Sequence, residues 1–178
     1  CLCCVGEGVA ALLEVDGLAI VLATLAEETR GEAERREAAG VVAQLTSPYV
    51  GEELACLEAL KASLPRLLAA LRDLALATTS METFLLCTAA LANLTSILPP
   101  AVDLLLASGL LPPLLCHPAA SSSSPYIQDQ VVTLVANMAR LASARLEMVD
   151  AGIVPMLLSI LQQLPSSDPA LALLNTFI

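Results

Sequence analysis

Apolar positions along this chain recur with a long period as well as a short one. GEGVAALLEVDG (6–17), GEELACLEALKA (51–62), PPAVDLLLASG (99–109) and SARLEMVDAG (143–152) each carry apolar residues at helical spacing over two or three turns. Their starts lie 45, 48 and 44 residues apart. Three of them end in a glycine, Gly17, Gly109 or Gly152, which predicts a left-handed cap. A second, leucine-rich helix follows each one: GLAIVLATLAEE, SLPRLLAALRDLAL, GLLPPLLCH and GIVPMLLSILQQL. Pro65, Pro112 and Pro155 fall near the starts of three of these, where proline gives up no helical hydrogen bond. Then comes a polar loop and a longer helix: GEAERREAAGVVAQLTS, METFLLCTAALANLTS, YIQDQVVTLVANMARL and DPALALLNTFI, the last cut short. Of the linkers, EETRGEAERRE (27–37) alternates charge and predicts a solvated loop running into a first helical turn, and HPAASSSSP (117–125) predicts a flexible Ser-rich loop.

The longer helices align on one polar position, occupied by Gln44, Asn93, Asn137 and Asn175. Two short helices and a long one in about 45 residues make the armadillo type of repeat. The pattern therefore predicts an all-α protein, a right-handed armadillo solenoid of about four three-helix repeats at 6–50, 51–98, 99–142 and a truncated 143–178. In such a solenoid the third helices line the concave surface. A row of primary amides there could pair with the peptide bonds of an extended ligand, since an amide both donates and accepts. The same residues could instead tie the end of one helix to the neighbouring repeat as buried, satisfied amides. Spacing and residue type fit both roles equally.

Composition supports helices on helices. Hydrophobic residues make up 57% of the chain but aromatic ones only 2%, so Leu, Ala and Val, not the aromatic residues typical of sheets, supply the core. The 20 uncharged residues between Glu82 and Asp103 have the length of a membrane span. Asn93 at their middle, the break at Pro99–Pro100 and the missing Lys or Arg flank make a buried helix the better reading, without membrane insertion. The net charge of -10 is concentrated at the start, where residues 1–53 hold ten acids against three bases. Such a surface repels phosphate backbones, so nucleic acid and anionic membrane are excluded as partners, and a basic or polar peptide is favoured. Six cysteines, Cys1, Cys3, Cys4, Cys56, Cys87 and Cys116, show no disulfide spacing, and four lie in apolar runs, consistent with free thiols in a reducing compartment. An opening at Cys1 and a stop inside an apolar pattern lead to the expectation of a fragment.

Chemistry has little to stand on. His117 is the single histidine, no nucleophile elbow or phosphate loop occurs, and no Cys/His set has metal spacing. Glu27 with Glu28 and Glu52 with Glu53 are adjacent in sequence, which makes them surface charge before an acid/base pair. The expectation is a non-enzyme with no cofactor and no metal.

REAAGVVAQLTSPYV (36–50), TFLLCTAALANLTS (83–96) and SPYIQDQVVTLVANMARL (124–141) resemble the armadillo-repeat region of the Inscuteable family, in three successive repeats and in the right order. The resemblance implies a cytoplasmic adaptor at the apical cell cortex. Members of that family connect the Par polarity complex, through Bazooka, to Pins and its vertebrate relative LGN, and so orient the mitotic spindle. The family's Pins-threading segment precedes its armadillo region and has no counterpart in these 178 residues. The alternative is an armadillo receptor for basic peptides of the nuclear-import type. Those receptors set a tryptophan one turn before each groove asparagine, whereas Gly40, Ala89, Thr133 and Leu171 stand there in this chain.

Overall fold

The structure is a computed structural model that describes residues 6–27, 29–47, 54–150 and 152–161. Every regular element among them is helical: α1 (Gly6–Glu14), α2 (Gly17–Ala26), α3 (Glu32–Leu45), α4 (Leu54–Ala77), α5 (Met81–Ile97), α6 (Pro100–Ala107), α7 (Leu111–Leu115), α8 (Pro125–Met138), α9 (Ala142–Asp150) and α10 (Ile153–Leu161), with a 3-10 turn at Pro118–Ser121. The long helices α3, α5 and α8 stack side by side with α5 in the middle, while α4 backs α5 and packs on α2 and α6. The result is an α-solenoid with one continuous apolar core running from Val9 to Leu157.

Helix α5 is the centre of that core, and its sequence shows why. Phe84, Cys87, Ala90, Leu91, Ala92 and Leu94 are all fully buried, so apolar residues cover most of its circumference instead of one stripe. Alanines at two of those positions let the flanking helices come close. Thr88 satisfies its buried hydroxyl by donating to the Phe84 carbonyl at 2.8 Å, a bond that needs no partner outside the helix. No single helix among the described residues is long and apolar enough to cross a membrane. One bent pair, α1 with α2, has the combined length; it is folded by 80° and packs on α3 and α4.

The corners between short helices depart from the expected glycine caps in two instructive ways. Gly109 and Gly152 do take the left-handed conformation, at φ 63° and 70°. At the first corner that conformation belongs to Asp16 (φ 54°), one residue earlier. Gly17 is required there for a different reason: a Cβ on it would lie 2.8 Å from the Leu12 carbonyl oxygen. Aspartate tolerates the left-handed region better than most residues, which allows this exchange of roles.

In the second unit there is no corner at all. The segment that predicts two short helices is one 24-residue helix, α4, with Pro65 in its interior. Lys61-Ala62-Ser63 contains no residue that favours a left-handed turn, so nothing stops the helix. Proline inside a helix costs about 3 kcal/mol. Against it stand Leu60, Leu64, Leu67, Leu68, Leu71 and Leu74, all at most 3% exposed and at helical spacing. Each contributes roughly 1.5–3 kcal/mol by burial, so packing outweighs the proline. Pro65 itself faces solvent.

Gly17→Ala is expected to lower unfolding stability by about 1–3 kcal/mol, because the crowding atom is backbone and cannot rotate away. Gly31→Ala, where an added Cβ meets nothing within 4 Å, should stay within about 0.5 kcal/mol of wild type. Urea denaturation followed by circular dichroism reads both.

Candidate functional site on the third helices

The carbonyls in the last turn of any α-helix have run out of helical amides to accept. Helix α3 receives a donor for one of them from the next third helix along, and α5 receives one a turn before its end. Asn93 Nδ2 on α5 donates to the Ala43 carbonyl of α3 at 3.0 Å. Asn137 Nδ2 on α8 donates to the Ala92 carbonyl of α5 at 2.9 Å and lies 3.3 Å from Thr95 Oγ1. Each amide thus takes the carbonyl one residue before the matching position of the preceding helix. Asn137 is only 4% exposed, while Asn93 is half-buried.

Of the two roles left open by spacing, these hydrogen bonds are those of the inter-repeat tie. Gln44, at the same register on α3, faces solvent, and Asn175 lies outside the described residues. Of the described positions, Gln44 is open to solvent while Asn93 and Asn137 are engaged in ties. Sequence reasoning also missed the threonines that complete the arrangement. Thr95 donates to the Ala92 carbonyl at 2.8 Å, and Thr46 to the Val42 carbonyl at 2.8 Å. Their signal was present as the shared Leu-Thr-Ser at 45–47 and 94–96, two residues after Gln44 and Asn93.

The opposite ends of the same helices are joined through Thr78. Its hydroxyl donates to Glu32 at the start of α3 and accepts from the Ser80 N–H at 3.0 Å. Its carbonyl faces His117 Nε2 at 3.0 Å. Because His117 Nδ1 accepts from the Ala119 N–H at 3.2 Å, the proton of the neutral ring sits on Nε2 and is donated to Thr78. The imidazole stacks on the buried Phe84 ring, centroids 4.6 Å apart and 9° from parallel. The supposed flexible linker after His117 is thereby folded in its first half, with Ala119 and Ala120 buried.

Between these two lines of ties the third helices leave a stripe that is half-buried except at Glu37 and Gln44, which are exposed. Glu37, Gly40 and Gln44 on α3 match Leu86, Ala89 and Asn93 on α5, and Gln130 and Thr133 on α8. Its floor is small: glycine, alanine and threonine occupy the middle register. Arg36 bridges outward, its guanidinium 2.9 Å from Glu37 and 3.1 Å from Glu82 of the next helix. A hydrogen bond from Thr78, more than the nearby arginines, holds the Glu32 carboxyl below the usual carboxylate range. Among the described cysteines, Cys116 is exposed, contrary to its place in an apolar run, and Cys87 is buried, which pushes its thiol up to about 12. No group of three or more His, Cys, Asp or Glu among the described residues is placed to hold a metal ion.

Three outcomes test this arrangement. Asn137→Ala should cost about 1–3 kcal/mol by removing the buried hydrogen bonds that the amide makes to the Ala92 carbonyl and Thr95, and Asn93→Ala less, since water reaches that site; urea unfolding measures both. Glu32 is stabilised as the anion in the folded state, so its contribution is complete above the unfolded carboxyl range near 4.5 and disappears as pH falls through the lower folded value. The stability gap between wild type and Glu32→Gln should accordingly close on acidification. At pH 8, alkylation mapped by mass spectrometry should label Cys116 in the native protein and Cys87 only after unfolding.

Comparison with known proteins agrees with this architecture. A family model described as "Protein inscuteable C-terminal" matches residues 1–173. The mouse and human proteins called Protein inscuteable homolog are each 36% identical to the chain over 168 residues, covering 93% of it. The chain spans 29% of the length of either relative. Two crystal structures of engineered proteins from the Northeast Structural Genomics Consortium superpose with TM-scores of 0.70 and 0.68 over 93% of the chain, covering 62% and 37% of their own lengths. At 22% and 24% identity they speak for the fold alone. The stacked helices with their asparagine ties and the match over nearly every residue lead to one conclusion: this chain belongs to the Inscuteable family, in the part that its family model describes as C-terminal.

Proposed function

We propose that the chain is a protein-binding adaptor module that serves an Inscuteable-like link between the Par polarity complex, through Bazooka, and the Pins/LGN spindle-orientation machinery at the apical cortex of dividing cells. The observation that carries this reading is 36% identity to the Inscuteable homologs across 93% of the chain. The module is a single domain in this reading, with repeats at 6–50, 51–98, 99–142 and 143–178, and it performs no catalysis.

The binding surface in this proposal is the partly exposed stripe of the third helices. A partner main chain would lie over Gly40, Ala89 and Thr133, with the Leu86 side chain, 3.5 Å from where a Gly40 Cβ would stand, as an apolar ridge beside it. Gln44, facing solvent, supplies amide contacts, with Asn93 beside it using the oxygen its tie leaves over. Asn137 acts through the tie, by holding α8 in position, and Asn175 would extend the row. An import-type role is weaker, because the tryptophan slots that hold lysine stems are replaced by that same small floor.

A lysate pull-down from polarised, dividing cells tests the reading with wild type and an Ala89→Arg, Thr133→Arg variant, both positions being half-buried and outside the ties. Recovery of Bazooka or Pins by the wild type and its loss, by about tenfold or more, in a variant of unchanged helicity and melting supports both the adaptor role and the surface. Equal recovery by both proteins moves the contact to another face. Recovery of neither partner by the wild type overturns the adaptor role.

A further inference from the structure

A pocket of about 350 Å³ opens where the first corner, between α1 and α2, packs against α4. Leu13, Leu18, Leu22 and Ala59 make its walls apolar, and Asp16 and Ser63 are the two polar residues that line it. None of them belongs to a third helix, so the pocket stands apart from the stripe of Gly40, Ala89 and Thr133. The corner itself holds Asp16 in place: its backbone takes the left-handed turn, and its carbonyl accepts from the Ala19 N–H at 3.1 Å. Its carboxylate caps no helix, and among the described residues it forms neither hydrogen bond nor ion pair. The Ser63 hydroxyl is likewise without a partner among them.

No base lines this pocket. On α4, Lys61 is held by Glu58 at 2.7 Å, and Arg66 lies one turn beyond Ser63, outside the wall. The bases of residues 1–53 are Arg30, Arg35 and Arg36; they stand past the other end of α2 and bond Glu27, the Leu25 carbonyl and Glu37. An open carboxylate on apolar walls selects a side chain that is aliphatic along its length and cationic at its tip, since such a chain buries its stem and keeps its head at the rim. Val15 and Ile20, next in sequence to Asp16 and Ala19, are 70% and 64% exposed, apolar surface of the kind a partner chain covers. We propose that the pocket receives one lysine side chain of a partner polypeptide, with its methylenes on the leucines and its ammonium donating to Asp16 and Ser63. This contact goes beyond the adaptor reading, because it uses helices that the third-helix surface does not.

The test uses the 178-residue chain labelled with ¹³C at its alanine methyls, titrated with the peptide acetyl-Gly-Ser-Lys-Ser-Gly-amide. Ala19, Ala59 and Ala62, which line the pocket, should shift saturably, while Ala90, 0% exposed in the core, and Ala89 on the third-helix stripe stay in place. A peptide with norleucine for lysine keeps the carbon stem without the charge and should bind about two- to fivefold more weakly, the range of an exposed ion pair. A peptide with alanine there should move none of the three. Asp16→Asn should weaken the lysine peptide by the same factor at an unchanged melting temperature, because asparagine tolerates the left-handed turn. Pocket methyls unmoved at tens of millimolar lysine peptide, moved equally by the alanine peptide, or unmoved while Ala89 shifts would each overturn the pocket. Equal binding of the norleucine peptide, or of the lysine peptide by Asp16→Asn, would overturn the basic occupant. The adaptor reading fails separately, since recovery of Bazooka or Pins is read at Ala89 and Thr133.

Discussion

The arrangement depends on a constraint that every helix carries at its C-terminal end: carbonyls with no amide left to accept. At the end of α3 the donor comes from outside, as Asn93 of the next third helix reaching the Ala43 carbonyl 50 residues back; on α5 Asn137 reaches 45 residues back to the Ala92 carbonyl, a turn before the helix end, which also accepts from Thr95. A single such bond contributes about 0.5–1.5 kcal/mol net, far less than the leucines around it. Its value lies in register. A surface of Leu and Ala packs almost as well after a small slide, but an amide moved by one residue loses its carbonyl and is left buried. Burial supplies the free energy of stacking, and the asparagines decide where stacking stops.

A second set of contacts guards the opposite ends. Thr78 reaches Glu32 of the preceding unit with its side chain and His117 of the following one with its carbonyl. The His117 ring in turn covers Phe84 at the heart of α5. The central helix is thus tied at one end to α3 and α8 and at the other to Glu32 of α3 and His117 after α7, which fixes the register of the third helices.

The corners show a fold that accepts several local solutions to one demand. One turn is made by an aspartate in the left-handed region with a glycine beside it for clearance, two are made by glycines in that region, and one is dispensed with. The last case follows from Lys61-Ala62-Ser63, which offers no stop, together with six leucines that bury a continuous face of α4. Tertiary packing therefore sets helix boundaries here more firmly than punctuation by proline and glycine.

By itself the sequence determined the all-helical class, the period near 45 residues, the places of the third helices α3, α5 and α8 and the shared amide position, because these follow from local spacing and residue type. Even the threonines that assist the asparagines were written in it, as the repeated Leu-Thr-Ser. Only the tertiary structure decided that Asn93 and Asn137 point inward to carbonyls, that His117 is a packed ring instead of a loop residue, and that Asp16 and Ser63 line one pocket. Each of those outcomes joins groups 39 to 50 residues apart. Periodicity names the face a residue occupies, but which distant carbonyl, ring or turn meets it is settled only when the helices stack.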